Sequence, residues 1–171
     1  MRYPDANLLV IRKVAETLRT TVFADLQWAI ARIDQADRDA GGGGIVHLWK
    51  ATVSPLEITF LPTGQKILFR GLDDPMKLGS ITVAKGVLCW MWFEEAFEIT
   101  KEDDFEKLDM SLRGEVPSGL WKQITISFNP WSELHWPKKA FFDRSDPEIL
   151  AITLARWQVY ALTLKRGVLR S

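Results

Sequence analysis

Cysteine is almost absent from this chain of 171 residues, with Cys89 standing alone. An internal disulfide is therefore excluded, and a reducing compartment is expected. Cys89 sits inside an apolar run, where a thiol packs as a small hydrophobe rather than serving as a nucleophile. Histidine is nearly as scarce: His47 and His135 share no metal-ligand spacing with each other or with Cys89. The sequence has neither a signal-peptide pattern nor an apolar stretch long enough to span a bilayer, so no membrane partner is expected. An excess of one charge is missing too. The 22 basic and 22 acidic residues cancel, which withholds the overall basic character of a free-standing nucleic-acid binder and leaves only local patches. There is no internal repeat, and no low-complexity tract apart from Gly41 to Gly44.

What is present describes a soluble globular protein. An apolar fraction of 47% and a charged fraction of 26% are ordinary, and the length fits one domain with a substantial core. Asn7 to Val14 reads as a short buried strand. Ala15 to Ile33 places Leu18, Val22, Leu26, Ala29, Ile30 and Ile33 at helical spacing, which predicts an amphipathic helix. Strand followed by helix is half of a βαβ unit. The glycine run then reads as a flexible connector where that helix stops. Leu56 to Leu61 and Lys66 to Phe69 flank Pro62-Thr63-Gly64-Gln65 and predict a hairpin. Asp73-Asp74-Pro75 suits a helix start, and Thr100 to Asp103 resembles a capping box for a helix running to about Leu112. Lys122 to Phe128 is a further strand, ended by Asn129-Pro130. A short helix or irregular segment follows over Ser132 to Phe142, and the pattern from Asp146 to about Leu164 is helical.

The most informative stretch is Val87 to Ala96. Seven apolar residues, Val87 to Phe93, run into the adjacent carboxylates Glu94 and Glu95. A continuous apolar run of this kind predicts a strand covered on both faces, as in a parallel sheet. The two acids then lie at its carboxyl end, where open α/β sheets bind ligands. This is the layout of a Walker B element. The competing reading is a Glu pair that opens a helix and favours its dipole. Asn129-Pro130 carries a similar pair of readings, a functional asparagine stiffened by proline or a turn that ends a strand. Arg12 and Arg70 each close a strand, where an arginine either neutralises transition-state charge or pairs with a surface carboxylate. Trp131 and Trp136 offer faces for base stacking or fill the core.

The pieces Leu8-Leu9-Val10-Ile11-Arg12-Lys13-Val14, Lys66 to Pro75 with Arg70-Gly71-Leu72-Asp73-Asp74, Trp92-Phe93-Glu94-Glu95-Ala96 and Ser127-Phe128-Asn129-Pro130 occur in this order. With Asp104-Phe105, Leu112-Arg113-Gly114, His135-Trp136 and Phe141-Phe142, they make the chain resemble the ATPase domain of phage terminase large subunits of the PBSX-like group. The resemblance extends from Tyr3 to Asp143. It implies an α/β fold of the P-loop NTPase-like (ASCE) type, with a mostly parallel sheet flanked by helices and a divergent helical tail over 144–171.

The resemblance also implies roles. Glu94 takes the magnesium position and Glu95 that of the carboxylate that polarises water. Ser127 and Asn129 form the nucleotide-sensing coupling motif. Arg70 and Arg12 are candidates for catalytic and nucleotide contacts. ATP and Mg2+ are the implied cofactors. The implied partners are a terminase small subunit, a portal protein, double-stranded DNA and further copies of the chain, in the host cytoplasm.

One family signature is missing. No G-x-x-x-x-G-K-[ST] motif occurs in the sequence, and that loop supplies most phosphate binding in such enzymes. The glycine run offers no lysine or hydroxyl in place of it. The expectation is a chain cut at both ends, without the P-loop strand and without the nuclease domain, that has little or no ATPase activity by itself. An interaction module without catalysis, a prophage remnant, or an unrelated α/β domain are the alternatives. Loss of the P-loop strand also predicts an open pairing edge and an apolar face.

Overall fold

The computed structural model describes residues 2–72, 81–99, 102–112, 115–129, 136–143, 145–154 and 159–166. The proposed helix start at Asp73 to Pro75, the capping residues Thr100 and Lys101, and Pro130, Trp131 and His135 lie outside them.

Strand β1 (Ala6–Arg12) leads into helices α1 (Ala15–Thr20) and α2 (Val22–Asp39). Three strands follow, β2 (Trp49–Val53), β3 (Leu56–Phe60) and β4 (Gln65–Gly71). The remaining elements are β5 (Val87–Glu94), α3 (Glu102–Ser111), β6 (Lys122–Phe128), a short helical turn over Lys138–Phe142, β7 (Ile149–Leu154) and β8 (Val159–Arg166). The eight strands of the described residues form one sheet in the order β2-β3-β4-β1-β5-β6-β8-β7. The central four, β4, β1, β5 and β6, are parallel, and each end of the sheet is extended by antiparallel strands. The protein is therefore α/β with its parallel strands at the centre.

The predicted strands β1, β5 and β6 and the β3–β4 hairpin are all present. The single helix expected from Ala15 to Ile33 is instead two helices, broken at Thr21 (φ −113°, ψ −106°). Around the break Leu18, Val22 and Phe23 are buried, whereas Ile33 is 56% exposed, so the apolar stripe does not stay on the core side to its end.

The sheet alternation divides the core. Leu9, Ile11, Met91, Phe93, Ile124, Ile126 and Phe128 face Phe105 of α3 and Phe141 of the helical turn. On the opposite face Val10, Phe69 and Ile58 meet Leu18, Val22 and Phe23 of α1 and α2, with Trp92 packed against them. Both faces of β5 are thus covered, and Cys89 is fully buried with its thiol pushed up to about 11 by that burial.

Asn7 ties the centre together at the irregularity where β1 meets β5. Its amide donates to the carbonyls of Lys85 and Val87, at 2.8 and 3.2 Å, and its carbonyl accepts from the Lys66 amide at 2.8 Å. Three chain segments are held by one buried side chain.

Two expectations are corrected. Asp146 to about Leu164 has a helical pattern in sequence, yet its described residues form β7 and β8. An open edge is predicted for the parallel strands, yet both of their margins are paired: β3 lies antiparallel to β4, and β8 lies antiparallel to β6 from Lys122↔Arg166 to Phe128↔Tyr160. One cause links the two. An unpaired β6 margin carries a row of N–H and C=O groups that a helical tail would leave unsatisfied. The β-branched and aromatic residues Ile149, Ile152, Thr153, Val159, Tyr160 and Thr163 suit strands that satisfy them.

The glycine run is ordered rather than a loose connector. Asp34 accepts from the amides of Ile45 and Val46 and from Arg38 Nε, and Asp37 accepts from the Gly44 amide at 2.9 Å. These bonds hold the Asp34 carboxyl below the usual carboxylate range, with the Arg38 bond the largest cause. A side chain at Gly44 (φ +78°) would collide with Arg38 and Asp34. The run closes α2 at its carboxyl end, which is the wrong pole of a helix for cradling phosphate.

Candidate active site at the carboxyl rim of the parallel strands

Residues at one end of the parallel strands converge because their registers align. Ile11 lies opposite Phe93, and Glu94 lies opposite Ser127. Arg12, Glu94 and Ser127 therefore leave their strands side by side. Alternation places all three on the sheet face that carries α1 and α2.

Arg12 is the hub. Its Nε lies 3.3 Å from Glu94 Oε2, its Nη2 lies 3.9 Å from Glu98 Oε1, and its Nη1 donates to Thr21 Oγ1 at 3.2 Å. All three ion-pair side chains are largely buried, at 16% exposure for Arg12, 19% for Glu94 and 21% for Glu98. Ser127 Oγ accepts from the Trp92 indole at 2.9 Å, which fixes its hydroxyl beside Glu94. Asn129 is half-buried directly beyond β6, on the same rim.

Glu95 adopts the left-handed conformation (φ 53°, ψ 47°), the one described non-glycine residue with positive φ. Such a backbone costs of order 1–3 kcal/mol and occurs mostly where a side chain must be aimed. It turns the chain out of β5 and into the helical turn Ala96–Glu98, so the two acids diverge in backbone while remaining on one rim.

The electrostatics are unbalanced. Glu94, Glu95 and Glu98 gather around Arg12, and one oxygen of each (Oε2) is buried without a hydrogen-bond partner. Burial pushes the Glu94 carboxyl up to about 6; Arg12 opposes the shift, and Glu95, Glu98 and Asp25 add to it. Burial raises Glu95 as well, against Arg12 and with Glu98. Buried carboxylates left partly unpaired, with raised pKa values, are the pattern that makes this rim the candidate site.

Arg70 is not brought to this cluster. It shares its sheet face with Leu68, away from Arg12, and its guanidinium donates to the carbonyls of Phe69 at 2.7 Å and Leu56 at 3.5 Å. Glu98 and Thr21 belong to the site but escape a reading of the sequence. Glu98 returns to the rim because the left-handed Glu95 and the tight turn Ala96–Glu98 fold the chain back after β5, which no sequence spacing announces. Thr21 carries no signal, because only the break between α1 and α2 points its hydroxyl at β1. Among the described residues, no three histidine, cysteine or carboxylate side chains form a ready metal cage.

A family model described as phage terminase large subunit matches residues 1–156. This chain belongs to the phage terminase large subunit family. It is 36% identical over 137 residues to the terminase large subunit of Bacillus phage SPP1, covering 79% of this chain and 30% of that protein. It is 30% identical over 134 residues to the PBSX phage terminase large subunit of Bacillus subtilis (strain 168), covering 78% of this chain and 27% of that protein. The terminase chain thus spans less than a third of these relatives. Its fold is similar to that of the large terminase from a thermophilic bacteriophage, with a TM-score of 0.54 and 20% identity over 80% of this chain and 29% of that one. No helix among the described residues is long and apolar enough to cross a membrane.

Proposed function

We propose that this terminase chain contributes the catalytic rim of an ATPase motor that drives viral DNA into a procapsid. The observation that carries the reading is the convergence of Arg12, Glu94, Glu95 and Ser127 at the carboxyl end of parallel strands, with carboxylate oxygens buried and lacking hydrogen bonds. Magnesium at a nucleotide needs only one or two protein carboxylates, its other ligands being water and phosphate oxygens, so a three-ligand cage is not required. The Oε2 atoms of Glu94 and Glu95, which accept no hydrogen bond, fit that demand. Bound there, magnesium would neutralise charge on the transferred phosphoryl group.

Within this proposal Glu94 holds the metal. Glu95, aimed by its left-handed backbone, orients the attacking water and accepts its proton. Ser127 and Asn129 meet the nucleotide from β6, where a hydroxyl fixed by Trp92 and an amide able to donate and accept can register the γ-phosphate. Arg70, held on the other face of the sheet by the Phe69 and Leu56 carbonyls, would have to leave both of them to offset transition-state charge, so Arg12 is the better placed of the two arginines. The terminase small subunit, the portal protein, double-stranded DNA and sister copies are the proposed partners, in the host cytoplasm.

With no G-x-x-x-x-G-K-[ST] in its sequence, a polypeptide of these 171 residues should hold nucleotide poorly. A non-enzymatic role in the packaging assembly is the second reading, favoured by that same lack. Calorimetry with Mg-ATP distinguishes them: micromolar affinity would overturn the claim of weak binding. In a version carrying a P-loop, Glu95→Gln should bind ATP and fail to hydrolyse it, and normal turnover would remove Glu95 from catalysis.

A further inference from the structure

We propose that Arg12 is a gate on the acid site: its guanidinium occupies Glu94 and Glu98 until a divalent cation displaces it, and the displacement is felt at the α1–α2 junction through Thr21. The inference rests on the reading of Glu94 as a metal carboxylate and adds the residue that regulates its access.

Three features support a gate rather than a simple structural ion pair. First, the pairing is incomplete. Glu94 Oε2 and Arg12 Nε are 3.3 Å apart, yet both are buried atoms that make no hydrogen bond of proper geometry. The approach to Glu98 is longer still, at 3.9 Å. A permanent buried pair is normally bidentate and fully bonded, because only good geometry repays the desolvation of both charges. Second, the charge count leaves room for a cation. Three carboxylates share one guanidinium, so an arriving dication and Arg12 compete for the same oxygens at short range, where charges repel strongly. Third, Arg12 has another anchor. Its hydrogen bond to Thr21 Oγ1 ends at the break between two helices, and the Thr21 hydroxyl in turn donates to the Thr17 carbonyl at 2.8 Å. Thr21 also carries the backbone carbonyl that accepts from the Asp25 amide, the first bond of α2. A guanidinium that swings away from Glu94 pulls on this junction.

As a gate Arg12 is a positioning residue, acting on Glu94 and on Thr21. The test uses Mn2+ as the probe, with affinity read by electron paramagnetic resonance and amide exchange over residues 17–25 read by mass spectrometry. Arg12→Gln should bind Mn2+ at least about tenfold more tightly than the wild type, since a competing unit charge a few ångströms away is removed. Arg12→Lys, which keeps the charge and loses the fork, should fall between the two. In the wild type, saturating Mn2+ should change exchange over residues 17–25, and Thr21→Val should abolish that response while leaving a Mn2+ site.

Equal Mn2+ affinity in wild type, Arg12→Gln and Arg12→Lys, each folded by circular dichroism, would overturn the gate while leaving Glu94 a metal carboxylate. Binding to none of the variants would also overturn the gate, because no cation then competes with Arg12 for these oxygens, whereas the metal reading, whose other ligands are phosphate oxygens, is tested in the version carrying a P-loop. Binding by Arg12→Gln alone is the strongest result in favour.

Discussion

Replacing Glu94 with glutamine should make the protein more stable at neutral pH, although it removes the carboxylate to which the proposed chemistry is assigned. Burial lifts the Glu94 carboxyl from 4.5 to about 6. The folded protein therefore holds this proton more tightly than the unfolded chain does. Between about pH 4.5 and 6 the native state binds more protons, so stability falls as pH rises through that window, and the whole penalty is present at pH 7. At roughly 1.4 kcal/mol per pH unit the penalty is about 2 kcal/mol. Glutamine keeps the shape and loses the charge, and Arg12 retains Glu98 nearby. Glu94→Gln should gain roughly 1–2 kcal/mol at pH 7 and melt some 2–8 °C higher, as a domain of this size requires. Urea denaturation at a series of pH values measures both proteins. The advantage should shrink to a few tenths of a kcal/mol near pH 4.5 and vanish about one unit lower, where the carboxyl is neutral in both states. A variant that is less stable at pH 7, or whose advantage is the same at pH 4.5 and 7, would refute the claim that burial of a charged Glu94 costs the fold stability.

Two substitutions away from the acid site test the packing around it. Asn7→Leu fills the space but strands the Lys66 amide and the carbonyls of Lys85 and Val87, which should cost roughly 2–4 kcal/mol in urea denaturation; an effect below about 1 kcal/mol would show that water replaces the side chain. Gly86 holds φ +70°, and a Cβ there would collide with the Asp5 carbonyl oxygen. Gly86→Ala should lower the melting temperature by an amount equivalent to at least about 2 kcal/mol, and a melting temperature unchanged from the wild type would mean that the start of β5 is looser than described.

The elements legible from sequence are those whose own residues decide them. The apolar run of β5 needs cover on both sides and obtains it, and Ile124 and Ile126 mark the buried side of β6. Glu94 and Ser127 can be placed side by side on the rim from sequence because each stands at the end of such a strand. What escapes is decided by partners distant in sequence. The tail is β because β6 presents an edge to it, and nothing within Asp146 to Leu164 reveals that edge. Thr21 joins the site because the backbone breaks there between α1 and α2, a break that helical periodicity does not encode. Arg12 and Arg70 look equivalent in sequence, each closing a parallel strand. The pleat separates them, sending one towards the acids and the other towards the carbonyls of Phe69 in β4 and Leu56 in β3.

The covering of β6 by β8 has a consequence for anything that assembles onto this sheet. With β5 bonded along one side and β8 along the other from Lys122 to Phe128, the interior of the sheet offers no berth. Among the described strands, the margins left for a strand arriving from another segment or molecule lie outside β2 and outside β7; elsewhere it must evict the hairpin and take its place.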